Sequence, residues 1–69
     1  MVRERVVNFI RENGIKQSFI CEKTGMKPQA ISAIMNLKRN IEVDEYCNIC
    51  SALNVPLSYF VDSHPEGRG

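Results

Sequence analysis

The sequence predicts an all-α fold, a compact single domain of five short helices. Apolar residues recur at three- and four-residue steps in each segment, and no segment sustains a period of two. Gly14, Gly25 and the breaks at residues 37–40 and 54–56 cut the chain into short pieces. At 69 residues the chain lies below the roughly 100–200 residues of a typical domain, so it builds one core.

The first helix is read from Val2, Val6, Phe9 and Ile10, which share a face at i, i+4, i+7 and i+8, and it ends at Gly14. In the second piece Phe19, Ile20 and the stem of Lys23 cover one side. The third places Ile31, Ile34 and Met35 at i, i+3 and i+4, and a break at residues 37–40 follows. In the fourth, Val43, Tyr46, Cys47, Cys50 and Leu53 repeat at helical steps. A fifth, very short helix carries Leu57, Phe60 and Val61. The Pro- and Gly-rich end sets the expected domain at residues 1–62 and a flexible tail at 63–69.

At 43% hydrophobic and 25% charged, the composition is ordinary for a soluble globular fold and too apolar for a disordered tail. A core this small supplies about 3–5 kcal/mol. There is no room for a multi-step enzyme with a large buried pocket. No run of about 18 apolar residues is present, so no membrane span is expected. Arg3, Glu4 and Arg5 interrupt any signal-peptide pattern. Three cysteines cannot all pair within one chain, so free thiols and a cytoplasmic location are expected.

Nine Lys+Arg against eight Asp+Glu give a net charge of +1, which alone argues weakly against a polyanionic partner. Its distribution reverses that reading. Residues 1–40 hold eight Lys/Arg and three Asp/Glu, and residues 41–69 hold one Arg and five Asp/Glu, so the two parts carry +5 and −4. A dipolar chain presents one basic face.

The centre of that basic part has a particular shape. A helix of about eight residues ends at Thr24, and Gly25 stands where a left-handed residue would close it. Met26 plugs the turn. Pro28 follows at a helix N1 position, where its missing N–H and fixed φ cost nothing. Two short helices joined by a tight Gly-containing turn form a helix-turn-helix.

Residues 17–36, QSFICEKTGMKPQAISAIMN, resemble the helix-turn-helix of the phage-repressor family, the Cro-type or XRE-type regulators. The likeness extends to residues 14–17 before the second helix, to residues 38–40 after the third, and to the junction at residues 52–57. It covers roughly residues 2–61. The resemblance implies a compact five-helix, lambda-repressor-like domain that binds double-stranded DNA. In that geometry the second helix of the motif lies in the major groove with its N-terminal residues at base edges.

The unburied residues of that helix are Pro28, Gln29, Ser32, Ala33 and Asn36, a stripe opposite Ile31 and Ile34. All are uncharged and small or amide-bearing, which suits close approach to bases. Gln29 can pair bidentately with adenine, and Ala33 can touch a thymine methyl. The resemblance places base- and backbone-reading positions at Gln17, Pro28, Gln29 and Ala33, and a phosphate-contacting position at Asn36. Pro28 departs from the polar residue the family often has and can donate no hydrogen bond. Ile10 stands where the family often has arginine, and Leu37 where it often has a glycine.

Lys16 and Lys27 stand where the second and third helices begin. Ser, Thr, Asp or Asn normally cap such ends, and the family usually has Ser or Thr. A lysine there loses the cap and opposes the helix dipole, at about 1 kcal/mol each. A phosphate explains the choice, since helix N–H groups and an ammonium can act on one anion. The alternative is that the true caps lie one residue away and the lysines are simply exposed. Lys38 and Arg39 would add backbone contacts in the next loop.

Cys47 and Cys50 form a Cys-x-x-Cys, and only Cys21 and His64 could complete a zinc site. Cys47 and Cys50 also match helical core positions, and the resemblance places Cys21 where the family has alanine; cysteine acts as a small hydrophobe in cores. Core packing is the expectation, with a metal or redox sensor as the alternative. Glu42, Asp44 and Glu45 open the fourth helix, where carboxylates favour the dipole. No catalytic constellation, cofactor motif or small-molecule substrate site is evident.

The expected function is a sequence-specific DNA-binding transcription regulator, a repressor acting by promoter occupancy as a homodimer on a palindromic site. Leu57, Tyr59, Phe60 and Val61 are the candidate dimer surface, although Leu57 and Phe60 also suit closing the core. The alternative is an interaction module or antitoxin of the same fold with weak or no DNA binding.

Overall fold

The computed structural model describes residues 2–61. The described residues form four helices and no strand: α1 (Val2–Glu12), α2 (Gln17–Thr24), α3 (Pro28–Met35) and α4 (Val43–Leu53). The all-α class holds, but the fifth helix does not form. Residues 57–60 make a turn instead, held by i→i+3 bonds from Tyr59 N–H to the Pro56 carbonyl at 3.0 Å and from Val61 N–H to Ser58 at 3.2 Å. A segment this short gains too few bonds to propagate a helix. The expected tail, with His64, lies outside the described residues.

Helix α2 packs against both α3 and α4, and α1 packs against α3. The core gathers Val6, Val7 and Ile10 of α1, Ile20 of α2, Ile31, Ile34 and Met35 of α3, Ile49 and Cys50 of α4, and Phe60. The α4 stripe therefore lies at Tyr46, Ile49, Cys50 and Leu53, not at Val43 and Cys47 as expected. Both stripes follow i, i+3, i+4, i+7, so periodicity alone allows either. The observed one buries an isoleucine in place of a cysteine and leaves Val43, at the helix end, 77% exposed. Phe19 also departs: it is 40% exposed and outside the buried core, with the Lys23 ammonium 5.7 Å from its ring centroid.

Phe60 fastens the last turn. Its ring meets Phe9 at 5.5 Å, Tyr59 at 5.0 Å and Tyr46 at 6.4 Å, all edge-on. The Tyr46 hydroxyl donates to the Leu57 carbonyl. Ahead of α4, the Arg39 guanidinium grips Glu45 with bonds of 3.0 and 2.6 Å, and the Glu42 N–H donates to the same carboxylate at 3.0 Å. The Arg39 hydrogen bonds hold the Glu45 carboxyl below the ordinary carboxylate range. The pair's contribution is thus present at neutral pH and fades as pH falls below that range.

Each helix is followed by one residue with a left-handed backbone: Gly14, Gly25, Leu37 and Asn54. After α1, α3 and α4 the bonding is the same Schellman pair. Gly14, Leu37 and Asn54 donate to Arg11, Ile34 and Ser51 at 3.1, 2.9 and 3.1 Å; Ile15, Lys38 and Val55 donate to Ile10, Ala33 and Cys50 at 3.0, 2.8 and 3.0 Å. Leucine at φ +58° is the exception in chemistry, because its Cβ crowds the carbonyl, at about 1–2 kcal/mol. Leu37→Gly should therefore stabilise the fold by about 0.5–1 kcal/mol after glycine's extra unfolded-state entropy is offset. Thermal melting checks it, and a lower melting temperature contradicts it.

Candidate nucleic-acid interface

The tight turn between α2 and α3 is built by its own residues. The Thr24 hydroxyl donates to the Ile20 carbonyl at 2.7 Å and accepts the Met26 N–H at 3.1 Å. Gly25, at φ +77°, returns its N–H to Cys21 at 2.8 Å. Met26 packs against the core. The chain then re-enters a helix at Pro28.

Lys16 and Lys27 are the N-cap residues of α2 and α3, both in extended backbone and neither giving a side-chain cap. This removes the alternative that the caps lie one residue away. The Lys16 carbonyl accepts the N–H groups of Phe19 and Ile20, and the Lys27 carbonyl accepts those of Ala30 and Ile31. The earlier N–H groups, at Gln17, Ser18 and Gln29, are left without a capping side chain. Two helix ends of positive polarity are thus presented beside two lysines.

Along α3 the structure brings Pro28, Gln29, Ser32, Ala33, Asn36 and Lys38 together as the lining of one shallow, open depression. All five stripe residues read from the sequence lie there. The Asn36 side chain folds back onto the Ser32 carbonyl at 2.9 Å, which holds it against the helix. Lys16, Gln17 and Lys27 are exposed but do not line the depression. Arg39 does not line the depression and is paired with Glu45.

The thiols divide. Cys50 is in the core, and burial pushes its thiol pKa up. Cys47 is exposed, so core packing holds for one of the Cys-x-x-Cys pair and not the other. Among the described residues no group of three or more His, Cys, Asp or Glu is placed to hold a metal.

A family model described as helix-turn-helix matches residues 9–60. The chain belongs to the XRE-type helix-turn-helix family. That match takes in α2, the whole turn, α3 and the α4 junction. No curated protein and no solved structure matches the chain. XRE-type helix-turn-helix domains are DNA-binding transcription regulators. No helix among the described residues is long and apolar enough to cross a membrane.

The sequence reading missed Arg11, whose Nη2 donates to the Met35 carbonyl at the end of α3 at 2.9 Å. Only the fold brings residues this far apart in sequence together. It also missed an apolar groove lined by Val2, Arg3, Asn40, Ile41, Val43, Tyr46 and Val61. The helical period of α4 places Val43 in the core, so the sequence carries no signal for its exposure.

Proposed function

We propose that this helix-turn-helix protein is a transcription repressor that occupies promoter DNA as a homodimer, with α3 in the major groove. The observation that carries the reading is the depression along α3, lined by small and amide side chains with Lys38 at its end. It begins at Pro28, next to an N-cap lysine and a helix end left open for a phosphate. Gln29 reads adenine, Ala33 meets a thymine methyl, and Ser32 serves either base. Lys16, Gln17, Lys27, Asn36 and Lys38 bind phosphates and set the register. Arg39 joins them only by leaving Glu45.

Leu57, Tyr59 and Val61 form the dimer surface. All three are about half exposed, while Phe60, at 3% exposed, belongs to the core. Val61 also lines the apolar groove, so surface and groove are continuous. Arg3 in the groove wall pairs with Glu4 at 3.1 Å, so both signs of charge stand at the edge of that face. A face of mixed sign can meet its own copy across a two-fold axis.

Selection of bound sites from random DNA, followed by binding measured against salt, tests the reading. A palindromic consensus is expected. Lys27→Ala should weaken binding to all sequences alike and reduce the salt slope by about one. Failure to bind any DNA refutes the proposal. Sedimentation tests the dimer separately: Leu57→Asp with Val61→Asp should give a folded monomer that has lost the full palindrome. A dimer unaffected by both changes places the interface elsewhere.

A further inference from the structure

The four carbonyls that end α3 are all engaged, and one of them is held from another helix. The Ser32 carbonyl accepts the Asn36 N–H at 3.0 Å, Ala33 accepts Lys38 at 2.8 Å, and Ile34 accepts Leu37 at 2.9 Å. These three bonds come from the chain that immediately follows. The fourth carbonyl, of Met35, accepts the Arg11 guanidinium from the last turn of α1, 24 positions earlier. The last turn of α3 holds no basic residue of its own. Arg11 therefore brings positive charge to the negative end of the recognition helix.

We propose that Arg11 is a positioning residue for DNA reading, fixing the angle of α3 on the scaffold without touching DNA. This rests on the proposed function. The need for such a clamp follows from what else holds the helix. Ile31, Ile34 and Met35 pack into the core, and apolar packing has no preferred direction. The N-terminal end has no side-chain cap. The other end turns into Leu37, whose left-handed backbone is strained and is relieved if the last turn of α3 unwinds. A directional bond to Met35 opposes that unwinding. Bidentate readout by Gln29 needs its side chain placed to a fraction of an ångström, so a helix free to tilt loses discrimination before it loses affinity.

Arg11→Met keeps much of the apolar stem and removes the donor; Arg11→Lys keeps a donor. Arg11→Met should bind the selected site about tenfold more weakly, with binding to random DNA and the salt slope unchanged. In the free protein, amide exchange at Leu37 and Lys38 should accelerate while exchange at Ile20 does not. Arg11→Lys should restore most of both. A salt slope smaller by about one would make Arg11 a phosphate contact and overturn the proposal. So would unchanged site affinity, or exchange accelerated equally throughout the chain. If the wild-type protein binds no DNA, the function fails, and local exchange at residues 37 and 38 still shows whether the clamp exists.

Discussion

Ile20→Ala is expected to unfold a large share of the molecules at 37 °C. Ile20 is 0% exposed and sits on α2, which packs against both α3 and α4. Truncating such a side chain removes its burial and leaves a cavity, at about 2–5 kcal/mol. A domain this small has only about 3–5 kcal/mol to lose. Urea unfolding followed by circular dichroism measures the difference. A loss below about 1 kcal/mol would show that the site collapses around alanine and that α2 is not the centre of the packing. DNA binding by this variant should fall in proportion to the folded fraction, with its sequence preference intact.

Gln29→Ala is expected to have the opposite signature: a folded protein that reads DNA poorly. Gln29 is exposed at the second position of α3 and lines the depression. Losing a bidentate adenine contact costs about 1–3 kcal/mol, or about 5- to 150-fold in affinity for the selected site. Random-sequence affinity and the salt slope should not change, because no phosphate contact is lost. Competition between selected and random duplexes measures the ratio. A ratio equal to wild type would remove Gln29 from the base-reading set. Lys27→Ala is the useful contrast, since it should lower both affinities and leave their ratio alone.

The helix-turn-helix was legible because its signals are local. Gly25 marks a left-handed position, Pro28 marks a first helical turn, and the stripe from Pro28 to Asn36 follows from spacing alone. The structure adds what is long-range or degenerate. Two stripes on α4 satisfy the same period, and only packing against α2 selects the one with Ile49. The turn at residues 57–60 carries helix-like spacing but ends before i→i+4 bonds accumulate. Arg39 reads as a loop cation until Glu45 is found beside it. Arg11 reads as an ordinary surface charge until α1 is laid against α3.

The uncapped starts of α2 and α3 have a consequence for the free protein as well as for the complex. A helix end without a cap is a standing defect, and here it occurs twice, each time beside a lysine. Any anion that settles there repairs it. The folded state is then the state with affinity for anions, and mass action makes the melting temperature climb with their concentration. Sulfate or phosphate should raise it more than chloride at matched ionic strength, and short duplex DNA more than either. On the proposed function the ligand finishes the fold, since a DNA phosphate at each uncapped start would supply the partner that its N–H groups lack.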